Sequence, residues 1–186
     1  GVAALLTASV HFPLSIQPLG HEFGVMRVVA GTYEGFCYGW DVPIAEEAGA
    51  AEESSDVGTS PSDMRLSFGY NVNGGCIKAV ALASSGPKAG RLMVTGGVDE
   101  RVRIFDVGAK GQLGEIQQHT ATVTCLQFYG SSHLLTGSED HTVCIWRVHD
   151  WALLHVLGGH KGAITSLSIH PSGRMALTVS RDRTLR

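Results

Sequence analysis

A short motif recurs along this chain at a nearly constant interval. Three segments align without gaps, and each carries an aspartate at the same position. The segments are 95–105, 136–146 and 178–186, and their aspartates are Asp99, Asp140 and Asp182. The aspartates are 41 and 42 residues apart, within the interval of about 40 to 45 residues that is typical of four-stranded propeller blades. The repeat therefore predicts a fold made of several similar units.

The local pattern of each segment predicts a strand, a tight turn and a second strand. Short runs rich in β-branched residues alternate with Gly, Ser, Asp and Pro, and helical periodicity is weak throughout. The aspartate suits the turn because its short carboxylate can accept hydrogen bonds from nearby backbone N–H groups. The chain is therefore predicted to be all-β. The predicted strands are 76–83, 92–96, 101–106, 114–118, 123–128, 133–136, 143–148, 153–157, 164–169 and 175–178.

An earlier, degenerate unit precedes these three. Residues 30–40 align with 95–105, and Glu34 occupies the position of the aspartate. Glu34 lies 65 residues before Asp99, so this interval contains an insertion. We interpret 43–65 as a disordered acidic insert, because acidic and small residues cannot bury enough apolar surface to become ordered. Its acidic residues are Glu46, Glu47, Glu52, Glu53, Asp56 and Asp63.

The repeats also suggest domain boundaries. Residues 1–25 fall outside the pattern and are interpreted as an N-terminal extension that is not part of the fold, with Met26 a candidate natural start. Residues 26–186 are predicted to form an incomplete propeller of about three to four blades, against an expected total of about seven. The last predicted blade is interrupted at Arg186, so the sequence is read as the N-terminal part of a longer protein.

Composition and cysteine spacing exclude several classes of protein. The net charge of -3 and the pI of about 6.3 give no sign of a phosphate-binding face, although they leave a local basic patch open. The four cysteines include no CxxC pair, which favours a reducing compartment. Cys125 and Cys144 occupy apolar strand positions and are predicted to be small buried hydrophobic residues. No apolar run is long enough for a membrane-spanning helix.

The sequence indicates no catalytic, cofactor or metal site. The nine histidines form no HxxxH or HExxH pattern, and 86–91 lacks the spacing of a phosphate-binding loop. The turn carboxylates repeat at a fixed period, whereas catalytic groups would converge on one site. Trp151 is either a surface anchor or a cover for the edge of a blade, and the second reading is favoured.

Several of these residues resemble the WD40 repeat. The resemblance is carried by the Gly159-His160 pair, the aspartate turns and Trp146 at the end of a strand. In WD40 blades a His, a strand hydroxyl, the turn Asp and the Trp form a hydrogen-bonded chain, so the resemblance implies a structural network. Its members here would be His119, Thr136 or Ser138, Asp140 and Trp146, then His160, Thr178 or Ser180 and Asp182, with Asp99 in the earlier unit.

A narrower resemblance covers about 26–186 apart from the insert. The stretches 122–140 and 160–186, with their Phe-Tyr-Gly and His-Pro-Ser-Gly phrases, are similar to the p21-activated kinase-interacting protein family of WD40 proteins. Phe105 and Arg147 depart from that pattern, in which Trp and Asp are expected. The family's basic C-terminal tail is also not found within this sequence.

The narrower resemblance implies a non-catalytic scaffold in the nucleus and nucleolus. Its expected roles are assembly of the large (60S) ribosomal subunit with pre-rRNA processing, and restraint of p21-activated kinase signalling. The implied partners are that kinase, pre-60S assembly factors and pre-rRNA, the last by direct or indirect contact. Two other classes remain open: a different WD40 adaptor, such as a ubiquitin-ligase substrate receptor or signalling scaffold, and an enzyme built on a propeller, which would need ionisable groups converging near the central channel.

Overall fold

The strands of this protein form a series of antiparallel sheets. The structure, a computed structural model, describes residues 13–18, 25–43, 64–72, 75–109 and 111–186. Among these residues no helix is long and apolar enough to cross a membrane. The strands are β1 Leu14–Pro18, β2 Val25–Gly31, β3 Phe36–Pro43, β4 Arg65–Asn71, β5 Ile77–Leu82, β6 Leu92–Gly97, β7 Arg101–Asp106, β8 Gly111–Gln117, β9 Val123–Tyr129, β10 His133–Ser138, β11 Val143–Arg147, β12 Ala152–Leu157, β13 Ile164–Ile169 and β14 Ala176–Ser180.

The sheets are blades of a propeller. Within the described residues, β1–β4, β5–β8 and β9–β12 form four-stranded sheets, and β13–β14 form a two-stranded one; we call them blades 1 to 4. In each blade, strands that follow one another in sequence are also neighbours in the sheet. The first strands of successive blades lie side by side, β1 next to β5, β5 next to β9, and β9 next to β13. The prediction of an all-β, incomplete propeller is confirmed.

The strands predicted for blades 2 to 4 agree with the structure to within a few residues. The largest difference is β8, which begins at Gly111, three residues earlier than predicted. The pairing of β7 with β8 shifts register between Ile104 and Phe105, so that Phe105 lies opposite Gln112 and Asp106 opposite Gly111. This irregularity extends the pairing through a polar, glycine-containing stretch that has no strand signal in its sequence.

Blade 1 has two strands that the repeat pattern did not predict, β1 and β4. Leu14 to Pro18 pair antiparallel with β2, with Leu14 opposite Ala30, and the Leu82 amide donates to Ser15 Oγ at 3.3 Å. The interpretation of 1–25 as an extension outside the fold is therefore wrong for 14–18. The physical reason is that β2 would otherwise expose an unpaired edge beside the next blade. The predicted bounds of the acidic insert, 43–65, are too wide, because Pro43 ends β3 and Arg65 begins β4. Residues 44–63 lie outside the described residues, so their disorder stays a prediction.

The core lies between the blades. One buried cluster joins blades 1 and 2, and a second joins blades 2 and 3. Blade 2 is covered on both faces, which is why all six residues of β6 are buried although alternate side chains of a strand point to opposite faces. The first cluster is Val29, Cys37, Phe68, Val72, Ile77, Val80, Leu82, Met93, Phe105 and Val107; the second is Ala81, Ala83, Leu92, Val94, Val102, Ile104, Val123, Phe128, Leu134, Cys144, Trp146 and Val148.

Glycines near the ends of the second strands allow these blades to approach one another. Gly31, Gly96 and Gly137 occupy equivalent positions in blades 1, 2 and 3. A Cβ on each glycine would lie 2.6, 2.6 or 2.9 Å from a side-chain carbon of the first β-branched residue of the next blade. Those contacts are with Ile77, Val123 and Ile164 respectively. Close packing of neighbouring blades therefore requires the absence of a side chain here.

Candidate functional site

Blade 3 contains a continuous chain of buried polar side chains. His119 Nδ1 lies 2.8 Å from Asp140 Oδ2, and His119 Nε2 lies 2.8 Å from Thr136 Oγ1. Trp146 Nε1 donates to the same threonine oxygen at 3.1 Å. His119, Thr136 and Trp146 are almost completely buried. The structure thus brings together the four residues that the WD40 resemblance groups around His119, and the hydroxyl in the chain is that of Thr136.

The direction of each hydrogen bond in this chain follows from its donors. The indole N–H of Trp146 can only donate, so Thr136 Oγ1 accepts it. The Thr136 hydroxyl then donates to His119 Nε2, which leaves Nδ1–H to donate to the Asp140 carboxylate. Each buried polar atom in this hydrogen-bonded network is thereby paired. None therefore carries the cost of about 1 to 3 kcal/mol for a buried unpaired group. The chain is a relay from indole to carboxylate that holds the second and third strands of the blade to its entry loop.

Ser138 serves the turn, not the relay. Its hydroxyl donates to the Ala121 carbonyl at 2.9 Å and accepts from the Asp140 amide at 3.1 Å. Ser138 therefore fastens the segment before β9 to the turn after β10. The alternative that the sequence left open, Thr136 or Ser138, is resolved by position: one residue completes the relay and the other closes the turn.

The Asp140 carboxylate is held by donors from two loops. Thr142 donates to Oδ1 through its amide at 2.9 Å and its hydroxyl at 2.6 Å, and the Thr120 amide donates to Oδ2 at 3.1 Å. Burial alone would raise the pKa of Asp140, but the hydrogen bonds from Thr142, His119 and Thr120 outweigh it and lower the pKa below its usual value. Asp140 is therefore ionised at neutral pH and structural in role.

Blade 4 repeats the arrangement around its own aspartate. His160 contacts Asp182 Oδ2 through Nδ1 and Thr178 Oγ1 through Nε2, both at 2.9 Å. Ser180 donates to the Gly162 carbonyl at 2.7 Å and accepts from the Asp182 amide at 3.1 Å. Thr178 and Ser180 thus take the same two parts as Thr136 and Ser138. Hydrogen bonds, first among them one from the Thr184 hydroxyl, lower the pKa of Asp182 despite its partial burial.

Blade 2 lacks the relay. Asp99 Oδ2 pairs with Arg103 at 2.5 Å, and no histidine occurs in 72–76, the segment that precedes β5. Phe105 occupies the position of Trp146 and has no N–H to donate. The hydroxyl of Thr95, which is 1% exposed, consequently has no hydrogen-bonding partner among the described residues. Of the three turn aspartates grouped by the WD40 resemblance, Asp99 is the one that the structure does not bring to a histidine.

The threonine after each turn aspartate was missed by the sequence reasoning. Thr142 and Thr184 both follow their aspartate by two residues, and both donate to it twice. The residue between them and the aspartate has a positive φ in both turns, 71° at His141 and 64° at Arg183. The repeated Asp-x-Thr spacing was visible in the sequence and was the signal for this role.

The cysteines and Trp151 have structural surroundings. Burial raises the pKa of Cys37 to about 12 and the pKa values of Cys125 and Cys144 to about 11, so these thiols stay protonated at neutral pH. Trp151 packs partly buried against the cluster between blades 2 and 3, which favours its reading as a cover for the blade edge. Among the described residues, no group of three or more His, Cys, Asp or Glu is placed to hold a metal ion.

Comparison with known families supports the same assignment. The family model described as "WD domain, G-beta repeat" matches residues 110–147 and 151–186, which contain the relays of blades 3 and 4. These two segments are WD40 repeats. Each matched WD40 repeat begins with the outer strand of one blade, β8 or β12, and continues into the first strands of the next. The repeat unit therefore links neighbouring blades covalently.

The WD40 chain is similar to named relatives over most of its length. It is 39% identical over 161 residues to p21-activated protein kinase-interacting protein 1-like of Gallus gallus, covering 87% of this chain and 38% of the relative. It is 40% identical over 162 residues to p21-activated protein kinase-interacting protein 1 of Homo sapiens, with the same coverage of 87% and 38%. It is 31% identical over 171 residues to Protein MAK11 of Saccharomyces cerevisiae, covering 82% and 38%. The chain thus spans less than two fifths of the length of these relatives.

The relays predict how the stability of the WD40 fold responds to acid. The pKa values of Asp140 and Asp182 are lowered in the folded protein, whereas 3.8 is their ordinary value. Their contribution is present above about pH 4 and is lost as the pH falls through the lower folded values. We expect the urea midpoint of the full-length protein to fall between pH 5 and pH 3 in a titration followed by fluorescence.

A matched variant isolates the relay carboxylate in this titration. Asp140→Asn keeps an acceptor for His119 but cannot ionise, so its urea midpoint should depend less on pH than that of the wild type. Equal pH dependence in Asp140→Asn and the wild type would contradict the assignment. Glu34→Gln serves as control, because Glu34 is exposed and lies in the turn of blade 1, outside both relays.

Proposed function

We propose that this chain is part of a non-catalytic WD40 scaffold that acts in the nucleolus during assembly of the large (60S) ribosomal subunit and pre-rRNA processing. The same protein would restrain p21-activated kinase signalling by occupying the regulatory region of the kinase. Its partners would be that kinase and pre-60S assembly factors, with pre-rRNA contacted directly or through them. The observation that carries the proposal is the similarity to p21-activated protein kinase-interacting proteins, which extends over 87% of this chain.

The geometry supports a binding platform. The turn carboxylates Asp140 and Asp182 are each saturated by hydrogen bonds within their own blade. They do not face one another across a cavity as a catalytic pair would. Rigid blades connected by exposed loops are a common basis for protein and nucleic-acid recognition. A function in which the loops bind and the relays keep the blades rigid is therefore the one that these residues support best.

The ribosomal proposal is tested by sedimentation of the full-length protein. Nuclear extract is resolved on a sucrose gradient, and the tagged protein is followed together with a large-subunit precursor rRNA. We expect both to peak in the pre-60S fractions, and depletion of the protein to cause accumulation of unprocessed precursor. Absence of the protein from those fractions would refute this role. Affinity purification distinguishes the alternatives, because recovery of ubiquitin-ligase subunits in place of ribosomal factors would favour a substrate receptor.

The kinase proposal is tested separately with purified components. The regulatory segment of a p21-activated kinase is immobilised, and binding of the full-length protein is measured by surface plasmon resonance. Saturable binding that also slows kinase activation by its GTPase activator is expected. Lack of binding would refute the kinase role and leave the ribosomal one in place.

A further inference from the structure

Basic residues are concentrated in blade 4. Residues 158–186 contain five Lys or Arg residues and a single carboxylate, that of Asp182, whereas the whole chain has a net charge of -3. The net charge of the whole chain therefore does not reveal that positive charge is concentrated in this segment. Such a local excess of one sign is how a site for a polyanion is recognised in a protein of ordinary pI.

Three of these cations lie at one edge of the blade. The Lys161 amide donates to Asp182 Oδ2 at 2.8 Å, which places Lys161 beside the turn that carries Arg181 and Arg183. The Arg181 amide donates to the Ala163 carbonyl at 2.9 Å, which joins the same two loops a second time. All three side chains are exposed. We call Lys161, Arg181 and Arg183 the blade 4 rim.

The carboxylates nearest the rim neutralise it only in part. Asp182 accepts hydrogen bonds from His160, Thr184 and the Lys161 amide, so its oxygens are occupied within the blade. Glu139 of blade 3 lies 4.0 Å from the Arg181 guanidinium, and both side chains are exposed, by 38% and 72%. An exposed pair of this length contributes little and leaves the guanidinium available to another anion.

The equivalent edge of blade 3 has a different character. Thr120, Glu139 and His141 occupy there the positions of Lys161, Arg181 and Arg183. Each set of residues surrounds a relay of the same kind in its own blade. The cations of blade 4 are therefore not needed to build the turn. Their charge is thus free to serve an interaction.

The chemistry of the rim favours phosphate over an acidic protein segment. Guanidinium groups match phosphate oxygens in a bidentate fashion, and a lysine adds a point charge. The loops at this edge, 160–163 and 180–184, contain no large apolar or aromatic residue, although such residues form the centre of most protein interfaces. Contacts with a phosphate backbone need no apolar centre, because they depend on release of counterions.

We propose that the blade 4 rim binds the phosphate backbone of RNA, without reading its sequence. This proposal rests on the proposed function and deepens it, because it assigns a direct contact with RNA to named residues. The test uses purified full-length protein and a fluorescein-labelled single-stranded RNA of about 20 nucleotides, with affinity measured by anisotropy at several salt concentrations. Because no ribosomal factor is present, failure of this test and failure of the sedimentation test are distinguishable.

The triple variant Lys161→Gln/Arg181→Gln/Arg183→Gln removes the rim. Because it takes away three phosphate-binding cations, the slope of log affinity against log salt should become shallower by about 2, and affinity at low salt should fall about tenfold or more. The matched control is Arg65→Gln/Lys88→Gln/Arg91→Gln, which changes net charge equally. Arg65 is the first residue of β4, and Lys88 and Arg91 lie in the loop before β6. These positions are at the ends of blades 1 and 2 that lie opposite the turns after the second strands. The control should therefore bind RNA nearly as the wild type does.

A variant with raised affinity tests whether misfolding explains the loss of RNA binding in the triple variant. Glu139→Gln removes the carboxylate opposite Arg181 and should raise RNA affinity about twofold, a change that a damaged fold would not produce. Unchanged RNA binding by the triple variant, or an equal loss in the control, would overturn the proposal. Competition by polyglutamate at the same charge concentration as effective as by unlabelled RNA would also overturn it, in favour of an acidic protein partner.

Discussion

Gly96→Ala is expected to lower the free energy of unfolding of the full-length protein by about 1 to 3 kcal/mol, the usual cost of overpacking a core. The added Cβ would lie 2.6 Å from Val123 Cγ1 and 2.9 Å from Val123 Cβ. Val123 is completely buried at the start of β9, so it cannot move aside without displacing blade 3. Urea unfolding monitored by tryptophan fluorescence measures the change.

Gly114→Ala is the matched control for this prediction. Gly114 also lies in a strand of blade 2, but a Cβ there would meet nothing within 4 Å. Its replacement should be neutral or stabilise by up to about 1 kcal/mol, because glycine in a strand loses more conformational entropy on folding than alanine. Equal losses in the two variants would mean that the contact between the blades is not the cause. The double variant Gly96→Ala/Val123→Ala should lose less than the sum of its single changes.

Thr136→Val and Thr95→Val are expected to change stability in opposite directions. Both threonines are almost completely buried at equivalent positions of blades 3 and 2. Thr136→Val leaves His119 Nε2 and the Trp146 indole N–H without their shared partner, and should cost about 2 to 4 kcal/mol. Thr95→Val removes a hydroxyl that no described residue pairs with, and should be neutral or stabilise by about 1 kcal/mol.

Two measurements on the full-length protein decide this comparison. Urea midpoints of the two variants are compared with the wild type, and hydrogen exchange of the β10 and β11 amides reports whether blade 3 opens locally. We expect faster exchange in blade 3 of Thr136→Val and no change in blade 2 of Thr95→Val. Destabilisation of similar size in both variants would contradict the relay assignment, because the cost would then come from fitting a methyl group in place of the hydroxyl and not from the lost hydrogen bonds. Trp146→Phe, which copies Phe105 of blade 2, should lose less than Thr136→Val because His119 keeps its partner.

Blade 2 has an apolar aromatic ring at the position where blade 3 has the indole of its relay. Blade 2 is packed on both faces by its neighbours, and Phe105 is buried there, with its ring 5.4 Å from that of Tyr70. Burial of an aromatic side chain contributes more than a typical net hydrogen bond. In place of the relay, blade 2 has the packing of Phe105 and the ion pair between Asp99 and Arg103.

The order of residues was sufficient to predict the repeating strand–turn–strand unit. The relevant features are local: the nearly constant interval between Asp99, Asp140 and Asp182, and the apolar runs on either side of each turn. They do not depend on what the blades pack against. The strands of blades 2 to 4 were predicted to within a few residues for this reason. The sequence also groups His119 with Asp140 and His160 with Asp182, which lie within hydrogen-bonding distance of each other in the structure, because each pair occurs at nearly the same separation in its repeat.

Contacts between distant segments could not be read from the sequence. Strand β1 has no repeat signal, and its place is set by the exposed edges of β2 and β5 that it covers. The choice of Thr136 over Ser138, which share a face of β10, depends on which position along the strand lies beside His119. The role of Gly96 depends on the distance to a strand of the next blade. These features arise when blades pack side by side, since only then do burial and unpaired polar atoms select among residues that look equivalent along the chain.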